Sequence, residues 1–218
     1  MVLYLCSTFL IVPTVAPFFG RERIKTNDYV KLHMFLSEVM NRNYVNPKMN
    51  VVLEEVALGL RKSHPEIQIH CLDANFPFWD GFPLLPHLSH NDGKKLDISL
   101  VYQDRSGNVV NHKPSRSGYG VFEAPRQKEY DQIAVRKDKG YWQYDYPKYV
   151  TLGTPNKGLH MSLKATKDLV LKILKQDKIS KVFIEPHLRL RMKLEHPKLR
   201  YHGCQAVRHD DHIHLQLK

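Results

Sequence analysis

Two histidines stand two residues apart at the end of the chain, and this spacing constrains the fold more than any other feature of the sequence. His212 and His214 flank Ile213 in an alternating pattern that predicts a strand. In a strand, side chains at positions i and i+2 point to the same face, so the two imidazoles would lie side by side. The sequence therefore predicts a closing strand with a polar site on one face.

A second polar cluster lies far upstream, where a histidine precedes an aspartate by seven positions. His90 and Asp97 form this pair, and His87 adds another imidazole three residues earlier. A catalytic zinc site needs three protein ligands, often imidazoles and carboxylates, and one open position. Because the chain has 13 His in 218 residues, a His-rich surface and a metal-free acid–base site stay open as alternatives. The density of the two clusters favours a metal site over both.

Together the two clusters resemble the metal motifs of the penicillin-insensitive murein endopeptidases. The resemblance rests on the run His-Leu-Ser-His at 87–90 with Asp97 after it, and on the closing run His-Asp-Asp-His-Ile-His at 209–214. The stretch Lys-Val-Phe-Ile-Glu-Pro at 181–186 is also similar. These enzymes belong to a wider zinc group with lysostaphin, the D-alanyl-D-alanine carboxypeptidases and the hedgehog signalling domain. The resemblance covers roughly residues 66–218 and leaves about 110–158 unmatched.

The resemblance implies a role for each histidine of the two clusters. His90, Asp97 and His214 would ligate Zn2+. His212 would lie beside the metal without ligating it, as a general base for water or as a donor to the developing oxyanion. His209 would be a second auxiliary catalytic histidine. Two neutral imidazoles and one carboxylate would leave the zinc site with a net charge of about +1, so that the metal stays a strong Lewis acid.

Two further residues are expected to contact the substrate. His87 matches a histidine close to the metal in the endopeptidases. Arg208 stands where those enzymes usually carry glycine, and its guanidinium would either bind a substrate carboxylate or lie in solvent. Asp210 and Asp211 are candidates for the acceptors that fix a histidine tautomer, although a solvated turn is the alternative for at least one of them.

The predicted elements are few, short strands that alternate irregularly with helices, which favours an α+β fold. Helices are predicted at 27–40, 51–62 and 163–174, with a short basic helix or turn at 187–194; strands are predicted at 67–71, 96–102, 182–184 and from 207 onward. We therefore expect a small, mainly antiparallel sheet with helices packed around it, similar to the hedgehog and D-Ala-D-Ala peptidase domains.

The chain divides into an apolar N-terminal segment, residues 1–20, and a single domain, residues 21–218. Residues 2–19 carry no charge and are nearly long enough to span a bilayer, so a membrane anchor that continues upstream of Met1 is one expectation. The alternative is an apolar arm that packs on the domain. Within the domain, residues 110–158 form a predicted loop-rich insertion, which either lines the substrate site or encloses its own small apolar cluster.

Charge and cysteine content bound the partners and the compartment. The formal net charge of +11 predicts an anionic partner. The basic residues are scattered and no nucleic-acid-binding motif is present, so nucleic acid is not expected as that partner. Cys71 and Cys204 would either form a disulfide in an oxidising compartment or remain free buried thiols.

These features predict a zinc-dependent amide or peptide hydrolase. The resemblance implies peptide cross-links or stem peptides of bacterial peptidoglycan as its substrate, and an extracytoplasmic location, periplasmic or membrane-anchored. One alternative is a zinc-containing binding or signalling module of the same fold without catalysis. The other is a basic protein that binds anionic polymers of the cell envelope.

Overall fold

The computed structural model describes residues 1–85, 87–201 and 206–218. The strands are β1 (Glu22–Arg23), β2 (Val30–Leu32), β3 (Tyr44–Val45), β4 (Ile69–Asp73), β5 (Lys95–Ser99), β6 (Tyr102–Gln103), β7 (Val109–Val110), β8 (His160–Met161), β9 (Ile179–Phe183), β10 (Leu199–Arg200) and β11 (His212–Leu217). The α-helices are α1 (Val2–Cys6), α2 (Val12–Val15), α3 (Phe35–Val39), α4 (Pro47–Arg61), α5 (Gln132–Asp138), α6 (Leu163–Leu174) and α7 (Pro186–Arg191). The arrangement is a mixed α+β fold, which confirms the predicted class.

The closing strand of the chain lies in the middle of the central sheet. The strand order is β10-β9-β11-β5-β4-β2. Strand β11 pairs antiparallel with both of its neighbours, and β4 pairs antiparallel with β5. The two outer pairs, β10 with β9 and β2 with β4, are parallel. Because β11 is central, the polar residues of the closing motif lie in the interior of the domain rather than at an edge.

The two faces of this sheet carry opposite chemistry. On one face, Ile213 lies opposite Ile98 and Leu215 lies opposite Leu96, and all four side chains are buried in the main apolar cluster. Apolar residues of α4 and α6 belong to the same cluster. The alternate residues of the strands therefore point to the other face, where the acidic and histidine side chains gather.

Helix α4 begins at a clear capping signal. The Asn46 side chain accepts a hydrogen bond from the backbone N–H of Lys48, and Pro47 occupies the first turn, where its missing N–H is no loss. The sequence predicted that this helix begins at residue 51. Because of the cap, it begins four positions earlier, at Pro47. Helix α6 covers the predicted range 163–174. Both helices follow from their apolar periodicity, since each buries one face against the sheet.

The predicted helix at 27–40 is wrong. Residues Val30–Leu32 form strand β2 at the edge of the central sheet, and the helical part is the short α3. The Asn27 side chain accepts hydrogen bonds from the backbone N–H groups of Tyr29 and Val30, which makes a turn rather than a helix cap. The apolar residues therefore follow the two-residue period of a strand in β2 and the period of a helix in α3, without a break between them. The predicted strand 96–102 is also divided, because β5 ends at Ser99 and β6 pairs in a separate small sheet.

Residues Val2–Phe19 form one helical segment that is long and apolar enough to cross a membrane by length and composition. Thr8, Val12 and Ala16 follow each other at four-residue spacing and are buried, and the last two pack with Tyr44 of the domain. Several large apolar side chains of the same segment remain exposed, among them Leu3, Leu10 and Phe18. One face of the segment thus contacts the domain, and the whole could be a signal sequence or a membrane anchor.

The stretch 110–158 contains ordered elements as well as loops. Helix α5 is followed by a 3-10 helix at Trp142–Val150. Tyr144 of this 3-10 helix is buried, whereas Trp142 and Tyr149 are largely exposed. The segment therefore presents aromatic side chains both to the interior and to the surface.

Cys71 of β4 is buried in the main apolar cluster, and this burial raises the pKa of its thiol to about 12. Its expected partner, Cys204, lies outside the described residues. Both alternatives, a Cys71–Cys204 disulfide and free buried thiols, therefore stay predictions.

Candidate functional site

The register of the central sheet brings residues from distant parts of the sequence into one row. His214 of β11 lies directly opposite Asp97 of β5, and Asp97 lies opposite Asp73 of β4. On the other side, His214 lies opposite Phe183 of β9. Directly opposite residues on paired strands share a face, so this row forms the floor of a polar site.

Three potential ligand atoms on this floor lie close to one another. His214 Nδ1 is 2.8 Å from Asp97 Oδ1, and His90 Nε2 is 3.2 Å from the same oxygen. The two nitrogens are 3.2 Å apart. Ligands held about 2.1 Å from a tetrahedral zinc ion are separated by roughly 3.4 Å, which is close to these distances. The buried group of His90, Asp97 and His214, the metal triad, could therefore hold a metal ion.

The protein scaffold sets the tautomer of His90. Its Nδ1 lies 2.9 Å from the carbonyl oxygen of Ala74. Because a carbonyl can only accept, Nδ1 carries the hydrogen and donates it, which leaves the lone pair of Nε2 facing the triad. This backbone contact is the kind of outer partner that orients metal-binding histidines.

Asp97 presents one oxygen to the triad, while the other is held by neighbours. Asp97 Oδ2 accepts a hydrogen bond from the Tyr119 hydroxyl at 2.8 Å and lies 3.0 Å from His87 Nδ1. Burial alone would raise the pKa of Asp97, but the surrounding histidines outweigh it and hold this pKa well below its usual value. The carboxylate is therefore ionised and fixed in direction.

His87 lies behind Asp97 as well as on the pocket wall. Its Nδ1 is 3.1 Å from Asp73 Oδ2 as well as 3.0 Å from Asp97 Oδ2. Although burial lowers the pKa of His87, these two carboxylates raise it to about 10. His87, which was expected to contact the substrate, thus uses one ring nitrogen to orient Asp97 of the triad.

A second buried group, formed by Asp73, His87 and His90, could also hold a metal ion. However, Arg42 donates to both carboxylate oxygens of Asp73, to Oδ1 at 2.7 Å. Burial raises the pKa of Asp73, but this guanidinium and His87 overcome it and lower the pKa to about 2. Because Asp73 is already balanced by a cation, the metal triad is the better site for a metal.

His212 lies beside the metal triad without belonging to it. Its Nδ1 is 2.5 Å from Asp211 Oδ1, and Asp211 Oδ2 accepts from the backbone N–H of Gly120 at 2.6 Å. Because a carboxylate oxygen accepts, Nδ1 of His212 carries the hydrogen, and Nε2 lies on the side of Asp97. Among the described residues, Nε2 has no hydrogen-bond partner and lies 3.7 Å from Asp97 Oδ2. Asp211 is thus the tautomer-fixing acceptor that the sequence suggested.

The charges around His212 favour its protonated form. Burial lowers its pKa, but the Asp97 and Asp211 carboxylates outweigh that effect, and the net pKa is raised. An imidazole in this position can take a proton from a reacting group beside the triad and return it, which is the chemistry of a general acid–base.

His209 lines the same pocket, with its ring centroid 4.6 Å from that of His212 and 5.7 Å from that of His214. Its backbone N–H donates to Glu185 Oε1 at 3.0 Å, and the same oxygen accepts from the Tyr144 hydroxyl at 2.7 Å. Burial next to Asp210 raises the pKa of Glu185 to about 7. The predicted auxiliary histidine is therefore positioned by a buried carboxyl group.

Arg208 is buried and does not line the pocket, so the solvent alternative is wrong and the substrate contact stays an untested prediction. Its side chain is buried, with Nε 2.6 Å from Asp210 Oδ1 and Nη1 2.8 Å from Asp145 Oδ1. The guanidinium also lies 3.8 Å from the centroid of the Phe122 ring. The planar fork of arginine matches two carboxylates and an aromatic face at once, which holds it inside the domain. Asp210 is the partner of Arg208 and fixes no catalytic tautomer.

We expect Arg208→Ala to lower the free energy of unfolding by about 3–5 kcal/mol, since it leaves the fully buried Asp210 carboxylate without its counter-charge. Chemical denaturation followed by circular dichroism measures this change. Arg126→Ala, which truncates an exposed arginine, is the matched control and should change stability by no more than about 0.5 kcal/mol. Unchanged stability together with weaker substrate binding would return Arg208 to the substrate site.

The triad, His209 and His212 open into one pocket of about 680 Å3. This volume is in the usual range for a site that binds a small molecule or a peptide segment. Leucine, aromatic and valine side chains from three parts of the chain form most of its walls: Leu85, Leu88, Trp142, Tyr146 and Val207. The site is therefore a polar floor at the base of a largely apolar pocket.

Several residues of this site were missed by reasoning from the sequence. Tyr119 and Gly120, which contact the Asp97 and Asp211 carboxylates, belong to the stretch without readable periodicity. The pairing of Arg42 with Asp73 joins two segments that carry no shared motif. No spacing signal could have found these contacts, because they arise between loops that only the folded chain brings together.

No protein-family model matches this chain and no curated protein matches it, so the resemblance to the murein endopeptidases rests on its motifs alone.

Proposed function

We propose that this protein is a zinc-dependent amide or peptide hydrolase. The observation that carries the proposal is the meeting of three potential ligand atoms, from His90, Asp97 and His214, within 3.2 Å of one another at the base of a pocket. Two imidazoles and a carboxylate are a ligand set that suits zinc. His212, beside them, has a fixed tautomer, and its other nitrogen lies 3.7 Å from Asp97 Oδ2.

The residues around the triad can perform the proton transfers of amide hydrolysis. A zinc ion held there would supply a Lewis acid that polarises a carbonyl and activates water. His212 Nε2 would accept the proton of the attacking water and deliver it to the leaving amine. Asp211 would stabilise the resulting imidazolium through its 2.5 Å contact with Nδ1. His209, on the same pocket wall, would donate to the oxyanion.

The resemblance adds a fold, a substrate class and a location to this proposal. We propose a domain of the hedgehog and D-Ala-D-Ala peptidase type, with peptide cross-links or stem peptides of bacterial peptidoglycan as candidate substrates. The net charge of +11 suits such an anionic polymer. The apolar helical segment Val2–Phe19 supports an extracytoplasmic protein, attached to a membrane or exported across it.

Two rival functions remain distinct from this one. A zinc-containing binding or signalling module would keep the metal triad without catalysis. His212 argues against it, because a histidine outside a three-ligand site has no duty in holding the metal. A basic protein that binds anionic envelope polymers would need no metal, and the buried carboxylate and imidazoles of the triad argue against that.

Metal analysis of the purified full-length chain tests the proposal. After dialysis against metal-free buffer, we expect about one zinc ion per chain, which corresponds to one triad. Muropeptides and synthetic peptides are then incubated with the chain, and products are identified by mass spectrometry. Hydrolysis should stop when 1,10-phenanthroline removes the metal and return when zinc is added.

The outcomes separate the three functions. Full zinc occupancy with no hydrolysis of any peptide would favour the non-catalytic module. A chain that takes up no zinc, but binds anionic polymers in a salt-dependent way, would favour the basic binding protein.

A further inference from the structure

The walls of the pocket differ from its floor in chemistry. The floor carries the metal triad with His209 and His212. The walls are mainly leucine, aromatic and valine side chains, together with the polar residues His87, Ser89 and Gln143. Among the described lining residues there is no Lys, Arg or Glu. Apart from His87, whose Nδ1 is already engaged by Asp73 and Asp97, the walls offer a charged ligand group no partner of opposite charge, while an apolar group would be removed from water there.

The apolar side chains at the mouth of the pocket are unusually open to solvent. Trp142 is 71% exposed, Leu85 is 72% exposed and Leu88 is 55% exposed. They come from two segments, the loop before His90 and the 3-10 helix Trp142–Val150. Large apolar side chains that surround a concave site mark a surface that binds an apolar ligand.

The aromatic side chains of the 3-10 helix form a connected row. The ring of Trp142 contacts that of Tyr146 edge to face, with centroids 6.2 Å apart, and Tyr146 contacts Tyr149 in the same way at 6.1 Å. Of these rings, Trp142 and Tyr146 line the pocket, so its wall on this side is a pair of aromatic side chains in contact with each other.

We infer that the pocket beside the metal triad selects peptides that carry a bulky apolar side chain next to the scissile amide. The side chain would pack between Trp142 and Leu88 while the amide lies over the triad. The inference rests on the proposed amide hydrolysis, and it points away from the stem peptides of peptidoglycan as substrates. An alanine methyl group, as in a peptidoglycan stem peptide, would fill only a small part of a pocket of about 680 Å3.

Binding of three matched peptides tests the inference. N-acetyl-Ala-X-Ala-amide with X as Phe, Ala or Lys is titrated by calorimetry into the full-length chain after treatment with 1,10-phenanthroline, where no hydrolysis interferes. The Phe peptide should bind about 10- to 100-fold more tightly than the Ala peptide, the range expected for burying one large apolar side chain. The Lys peptide should bind no better than the Ala peptide.

Two tryptophan variants assign the effect to the pocket. Trp142→Ala should bring the Phe and Ala peptides to within about threefold of each other. Trp79→Ala is the matched control, because Trp79 is also exposed, at 56%, but lies outside the pocket, and it should keep the preference. Equal binding of the three peptides, or an equal loss in both variants, would overturn the inference.

Hydrolysis of the same peptides by the zinc-loaded chain is measured in parallel. A binding preference without cleavage of any peptide would support the apolar pocket and contradict the proposed hydrolase. Cleavage of all three peptides without a binding preference would support the hydrolase and contradict the pocket inference.

Discussion

Replacing His214 with alanine should abolish zinc binding and hydrolysis together. His214 Nδ1 is one of three atoms in the triad, and without it only His90 Nε2 and Asp97 Oδ1 face each other, 3.2 Å apart. Two ligands do not complete the set of three that a catalytic zinc site uses. We expect zinc affinity to fall by more than the roughly 10- to 100-fold that loss of an outer hydrogen-bonding partner costs. Competition with a fluorescent chelator measures the affinity.

The control for this variant is His160→Ala, which removes an exposed histidine of β8 far from the triad in sequence. It should leave zinc content and activity unchanged. The fold of His214→Ala should persist, since Asp97 keeps its contacts with Tyr119 and His87. Circular dichroism checks this point. Stoichiometric zinc at the affinity of the unmodified chain would contradict the assignment of His214 as a ligand.

His212→Ala should have the opposite signature, with zinc retained and catalysis lost. Its imidazole lies outside the triad, so removal of the side chain leaves all three ligand atoms in place. Loss of a general acid–base lowers the rate by roughly 10²–10⁴. We expect that decrease in kcat with a zinc content close to one per chain. Stopped-flow or mass-spectrometric rates, together with metal analysis of the same sample, measure both quantities.

Asp211→Asn is the companion variant, because it removes the charge that holds the His212 tautomer but keeps the shape of the side chain. It should retain zinc, because the three ligand atoms are unchanged. It should lower kcat, because a neutral amide no longer stabilises the positive charge that His212 gains when it accepts a proton, whereas the Asp211 carboxylate lies 2.5 Å from Nδ1 in the unmodified chain. If His212→Ala emptied the site while His214→Ala did not, the roles of the two histidines would be reversed.

The helices were predictable where one period of apolar residues continued for several turns. Helix α6 has its predicted range, and α4 differs only at its capped start. Prediction failed at 27–40, where a strand and a short helix follow each other without a break in the apolar pattern. Pairing of Val30–Leu32 with β4 decides that conformation, and this contact is distant in sequence.

The same distinction applies to the candidate site. The two-residue spacing of His212 and His214 placed both side chains on one face, because alternation is a local property of any strand. The spacing of His90 and Asp97 suggested a ligand pair, but only the antiparallel pairing of β5 with β11 sets Asp97 opposite His214. The local pattern thus determined which residues could meet, and the sheet register determined that they do.

Arg208 shows the limit of reasoning from neighbours in the sequence. Its position next to the histidine run suggested a substrate contact or a solvated side chain. In the folded chain, Asp145, which lies 63 positions away, and Asp210 enclose its guanidinium. A long side chain can turn towards any charge within its reach, so its partner depends on which distant segment packs beside it.

The sequence by itself determined the inventory of the site, the alternation of the closing strand and the main helices, because these depend on residue type and local period. Only the tertiary structure decided the triad, the support of Asp97 by Tyr119 and the apolar walls around the pocket. Those features join segments that are far apart in the chain, and their formation depends on register and packing, which no local pattern encodes.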